Sequence, residues 1–172
     1  MLVTVVRILA EEVFDREQVP LAGEVKEAET PPAPAADQGP SFTELLALAS
    51  PQKGGESFRK CQSCHVDDRS GQHKIGPNLW GVVGSTPGQK PGYPYSPAMK
   101  GKGGNWTFEA LNTFLSGPQA AVPGTKMSFA GVRNAAERAN IIAFLNAQSD
   151  APLPLPEAPS AEPEASAERP AN

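Results

Sequence analysis

The only two cysteines of this chain stand three positions apart, and one of its two histidines lies directly behind the second, in Cys61-Gln62-Ser63-Cys64-His65. One turn of helix would carry all three side chains, so the fold has to present that turn to a single chemical object. The surrounding sequence has few regular elements with which to build an interior. Ser41–Ala49 reads as a short helix, with Ser41 as N-cap and Glu44 three residues on. Helical patterns recur near Gly55–Cys61, across Thr107–Ser116 and across Ala135–Ala147. The last is the clearest: Ala139, Ile142, Ala143 and Leu145 form an apolar stripe that Ile141 and Phe144 widen. Glycine- and proline-rich loops span 71–90, 91–104 and 118–131, and no alternating strand pattern of useful length occurs. The pattern predicts a small all-α domain with long ordered loops. So little regular structure does not fill its own core, and something else has to occupy the middle.

Three chemistries compete for the Cys-x-x-Cys-His stretch. A redox disulfide of the thioredoxin kind needs a βαβ setting with the first cysteine at a helix N-terminus, and no strand pattern precedes Cys61. A structural zinc ion needs four ligands. Cys61, Cys64, His65 and His73 make that number, but adjacent Cys64 and His65 converge poorly on one ion and there is no second Cys-x-x-Cys. The third chemistry is covalent haem attachment: two thioethers from Cys61 and Cys64 to the porphyrin, with His65 turned back to the iron. A haem also supplies the missing filling, and this reading is preferred.

Charge divides the chain in three. Residues 51–149 hold eleven Lys and Arg against five acids, whereas residues 1–50 hold three against nine and residues 150–172 one against five. A basic centre between acidic arms predicts an acidic protein partner for the centre. Nucleic acid is not expected, because the basic residues sit among glycines with no recognition motif. The chain divides into an apolar N-terminal segment (1–14), an acidic Pro/Ala-rich linker (15–40), the central domain (41–149) and a Pro/Ala/Glu-rich tail without a fold (150–172). The opening Met1-Leu2-Val3-Thr4-Val5-Val6-Arg7-Ile8-Leu9-Ala10 would cover only ~15 Å as a helix, about half a bilayer's hydrocarbon thickness. It also lacks the basic lead and small-residue cleavage site of a signal peptide. It reads either as a segment that packs on the protein or as the remnant of a membrane anchor that begins upstream.

A haem bound by His65 needs a second axial ligand or an open site. Of Met1, Met99 and Met127, Met99 in Tyr95-Ser96-Pro97-Ala98-Met99 reads as ordinary packing. Met127 lies in a loop fixed by proline and glycine, Val122-Pro123-Gly124-Thr125-Lys126-Met127-Ser128-Phe129-Ala130-Gly131. Here the chain resembles class I cytochrome c of the mitochondrial and α-proteobacterial type. The resemblance runs from about Gly54 to Gln148 through six motifs in order: CQSCH, HKIGPNLWGVVG, GYPYSPAM, NWTFEALNTFLSGP, VPGTKMSFAG and ERANIIAFL. Among relatives it looks closest to bacterial forms that keep an N-terminal membrane helix followed by an acidic linker.

The resemblance implies a cytochrome c fold of about four to five helices around one covalent haem c. It implies His65 and Met127 as iron ligands, with the Pro77 carbonyl accepting from the other nitrogen of His65. Tyr95 and Trp106 would hydrogen-bond a haem propionate, Thr125 would fix the propionate side, and Phe129 would cover the haem edge near Met127. Gly55, Phe58 and Phe144 would form the crossing of the first and last helices. His73 would tie down a neighbouring loop. Phe114 stands where the family usually has a tyrosine beside the methionine.

The implied function is that of a single-haem electron carrier, not an enzyme. It would take electrons from a quinol-oxidising cytochrome bc1-type complex and deliver them to a terminal oxidase. Lys60, Lys74, Lys126 and one of Lys100 or Lys102 would ring the haem edge and meet acidic partners. The expected setting is the periplasmic face of a bacterial inner membrane, as a tethered monomer. Two alternatives remain. One is a five-coordinate haem sensor or peroxidase. The other is a dedicated donor to a photosynthetic reaction centre or a reductase.

Overall fold

The computed structural model describes residues 39–158. The expectations for the apolar segment 1–14, for nearly all of the linker and for the end of the tail lie outside the described residues. Within them the chain forms six helices and no strand: α1 (Phe42–Ala47), α2 (Pro51–Phe58), α3 (Pro97–Lys100), α4 (Phe108–Ser116), α5 (Pro118–Ala121) and α6 (Ala135–Ala147).

Most boundaries follow from capping chemistry. Ser41 and Glu44 make the reciprocal capping box that opens α1. Thr107 and Asn134 cap α4 and α6, each accepting from the amide three residues on. The helix expected near Gly55–Cys61 starts earlier, because Ser50 caps it and Pro51 takes the first position, where a missing N–H is harmless. The same Ser-Pro device at Ser96-Pro97 nucleates α3 inside a stretch expected to be loop, and Pro118 opens α5. These two single turns account for the excess over the expected four to five helices.

The helix α6 is the hub, with α1, α2 and α4 all packed on it. That is why its buried residues, from Ala139 through Asn146, surround most of the helix instead of forming one stripe. The α2–α6 crossing is close because α2 has no side chain at the contact. A Cβ on Gly54 would lie 2.0 Å from the Asn140 carbonyl oxygen, whereas one on Gly55 would stand 3.3 Å from the Phe144 ring. Phe58 and Phe144 pack at 5.2 Å between centroids beside it, and the Asn140 side chain accepts from the Ser50 amide at 2.8 Å. The sequence reading placed the contact at Gly55; the backbone approach is made by Gly54. Gly54→Ala in the haem-loaded protein is expected to destabilise by at least ~3 kcal/mol, and Gly55→Ala by less, since only a ring edge has to yield. Denaturant midpoints of the two variants compare them, and equal midpoints would refute the assignment.

The tail joins the domain further along than its composition suggests. The Asn146 side-chain amide donates to the Leu153 carbonyl at 2.8 Å, and its oxygen accepts from the Leu153 amide at 2.9 Å. Leu155 packs against the core. Asp150 accepts from the Trp80 indole at 3.0 Å and pairs with Arg69 at 2.5 Å.

Candidate functional site

After α2 the chain continues in tight turns. Cys61 donates its amide to the Phe58 carbonyl at 2.7 Å, and the amides of Cys64 and His65 both return to the Cys61 carbonyl at 3.0 and 2.9 Å. This winding carries both thiols and the imidazole to one wall of the interior. Both cysteines are half-buried and unbridged, and burial pushes the Cys61 thiol up to about 11. Without strands, the described residues lack the βαβ setting of a thioredoxin-like pair. Among the described residues no three His, Cys, Asp or Glu side chains gather as a metal site.

His65 is only 9 % exposed. Its Nδ1 donates to the Pro77 carbonyl at 2.7 Å, so the proton resides there and Nε2 keeps a free lone pair. Burial lowers its pKa against the pull of that carbonyl, which favours the neutral ring that metal ligation requires. Gly76 makes room for it: a Cβ there would lie 2.3 Å from the ring carbon Cε1. His73 is fully engaged elsewhere. Its Nε2 donates to the Pro91 carbonyl at 2.8 Å and its Nδ1 accepts from the Asn78 amide at 3.0 Å, tying two loops together.

Met127 is positioned by its backbone. The Gln119 amide donates to the carbonyls of Thr125 and Met127, both at 3.0 Å. The Thr125 hydroxyl accepts from the Met127 amide at 3.3 Å, and Lys126 donates to the Pro94 carbonyl at 2.5 Å. At the loop's end Gly131 has φ 93° and backs onto the Ser116 carbonyl, 2.2 Å from where a Cβ would be. Only glycine fits there.

All nine residues singled out from the sequence, Cys61, Cys64, His65, Pro77, Tyr95, Trp106, Thr125, Met127 and Phe129, line one cavity of about 460 Å³. Its walls are completed by Leu79, Val82, Leu111, Leu115, Ile141 and Leu145. Met99, read as packing, is buried and also lines it, as does Phe114, tilted against Trp106 at 5.0 Å between centroids. Burial pushes the Tyr95 phenol up to about 12, so it remains a proton donor.

The lysines behave unequally. Lys60 and Lys126 reach the cavity mouth. Lys60 is paired with Glu137 at 2.5 Å, which holds that carboxylate below its usual range. Lys74 donates to the Gln62 carbonyl at 2.7 Å, and Lys102 stacks over the Trp106 ring at 4.6 Å. Beside Lys74, Ile75 is 80 % exposed, an apolar side chain at the mouth that charge-based reading passes over.

Two thiols in register, a neutral imidazole with one free nitrogen, a methionine sulfur and apolar walls make a donor set and a space that fit a haem. Residues 51–149 match the family described as cytochrome c. The chain belongs to the cytochrome c family. A cytochrome c homolog of Bradyrhizobium diazoefficiens is 46 % identical over 125 residues, covering 72 % of this chain and 68 % of that protein. A cytochrome c-type cyt cy of Rhodobacter capsulatus is 51 % identical over 94 residues, covering 54 % of this chain and 46 % of that protein. The solved structure of cytochrome cH from Methylobacterium extorquens superposes with a TM-score of 0.55 at 35 % identity, covering 58 % of this chain and 99 % of that one. This is a class I cytochrome c fold, and it carries one haem c attached through Cys61 and Cys64.

Proposed function

We propose that this cytochrome c relays single electrons from a quinol-oxidising cytochrome bc1-type complex to a terminal oxidase, on the periplasmic face of a bacterial inner membrane. The observation that carries the reading is the convergence of His65, Met127 and both thiols on one apolar cavity whose mouth bears Lys60 and Lys126. The haem supplies the redox chemistry, its iron passing between ferrous and ferric states. The chain's residues do the rest. His65 and Met127 would hold the iron, the imidazole through its free Nε2 and the methionine through its sulfur. The Pro77 carbonyl fixes the histidine tautomer, and Tyr95 and Trp106 offer protons to propionate. Thr125 holds the amide of Met127 in register, Phe129 covers the edge beside it, and the aliphatic walls exclude water. Lys74, Lys126 and Ile75 form a basic rim with an apolar member, suited to an acidic partner and fast exchange.

The family resemblance also suggests a tether, which falls on residues outside those described. No helix of the described residues is long and apolar enough to cross a membrane.

Reduction by a purified bc1-type complex and oxidation by a terminal oxidase test the partnership. Both second-order rates are expected to fall by roughly an order of magnitude or more as salt rises from a few tens of millimolar to several hundred. Lys126→Glu should slow both at low salt. Salt-independent rates, or turnover with only one enzyme, would favour the dedicated-donor reading.

A further inference from the structure

Lys90 is a cation that the site described above does not use. Its side chain lines the cavity and is half-buried. Its ammonium donates to the main-chain carbonyl of Trp80, which spends one of three N–H donors. The two ion pairs among the described residues, Lys60–Glu137 and Arg69–Asp150, leave it out. No Asp or Glu lines the cavity. Burial lowers its pKa with no acid opposing the shift. A lysine drawn partly inward on these terms gives up part of its hydration for one neutral acceptor, and two N–H donors remain for a further acceptor.

The neighbourhood indicates which acceptor. Tyr95 lines the cavity beside Lys90. Ser85, Thr86 and Trp106 line the same cavity. The carbonyl that receives the ammonium belongs to a residue fixed at its own amide, since Trp80 N donates to Asn78 Oδ1 at 2.8 Å. This polar corner is built for carboxylate, and a haem carries two propionates on the edge opposite the vinyl positions that become thioethers.

We propose that Lys90 is the counter-ion of a haem propionate and thereby raises the reduction potential of the iron. A propionate charge near the iron favours the ferric state; a cation beside it offsets that preference. The proposal rests on the haem reading above but not on the identity of any partner.

The test is a redox titration of the haem-loaded full chain at fixed pH and ionic strength. It compares Lys90→Met, which removes the charge, with Lys90→Arg, which keeps it. Lys53→Met serves as control, an exposed lysine of α2 that does not line the cavity. A fall in midpoint potential is expected for Lys90→Met, most of it restored in Lys90→Arg, with Lys53→Met close to the parent. A Lys90→Met shift no larger than that of Lys53→Met overturns the proposal. So does a Lys90→Arg potential as low as that of Lys90→Met. If Lys90→Met fails to mature, Lys90→Gln takes its place, because its amide still reaches an acceptor and carries no charge. Optical spectra of each variant keep the two readings separate: a low-spin spectrum indifferent to CO with an unmoved potential removes the role of Lys90 and leaves the carrier intact.

Discussion

Cys61→Ser with Cys64→Ser should leave a chain that does not hold its fold. The haem space is about 460 Å³ in a domain whose core is otherwise three helices packed on α6. At roughly 24 cal/mol per Å³, an unfilled space of that size would cost at most about 11 kcal/mol, as large as the ~5–15 kcal/mol by which a domain is normally stable. The α4 helix and the Met127 loop would suffer most, since Leu111, Phe114 and Leu115 turn their buried faces to that space. The α2–α6 crossing would suffer least, since its contacts are between backbone and Phe58 and Phe144. Far-UV circular dichroism of the double variant should show most of the helical signal lost, and heating should give no cooperative transition. A transition near that of the haem-loaded protein would mean that the polypeptide alone closes the core, and that the haem is a passenger in a pre-formed fold.

This dependence on a non-polypeptide core explains what the sequence displayed and what it hid. The attachment motif is local and chemically specific, so it could be read directly, whereas the role of the Met127 loop follows only from the resemblance to the family. The long α6 could be read from its apolar spacing and its Asn134 cap. Gly55 does face Phe144 in the crossing, but the closer approach, Gly54 onto the Asn140 carbonyl, is not legible, because adjacent Gly54 and Gly55 are indistinguishable until the facing carbonyl is known. The two single-turn helices were passed over because four residues carry no periodicity, although Ser96-Pro97 announces a start. Composition alone marks the tail as unstructured, yet Leu153 and Leu155 alternate between prolines, and the Asn146 that receives Leu153 is buried near the end of α6, where nothing in the tail's own composition points. Lys90 was counted only as part of a basic surplus. Its inward course depends on an acceptor, the Trp80 carbonyl, that no sequence pattern marks.

Met127→Ala should convert the iron from closed to open. The hydrogen bonds that fix this loop are made by its backbone, by Gln119, by the Thr125 hydroxyl and by Lys126, and none of them uses the Met127 side chain. Truncation therefore removes the sulfur while the loop stays in place. The oxidised protein is expected to lose its weak far-red methionine–iron band, the reduced protein to bind CO, and the midpoint potential to fall, because methionine ligation favours the ferrous state. Stability should drop by ~2–5 kcal/mol for the lost side chain, read as a shift in denaturant midpoint. Met127→His separates ligation from packing: it should stay low-spin and refuse CO, yet also have a lowered potential. If Met127→Ala instead keeps the band and ignores CO, the sulfur comes from elsewhere. Met99 is then the candidate, since it is the other methionine of the described residues and its buried side chain lines the same cavity. Loss of the band in Met99→Ala would transfer the ligand from the loop to α3.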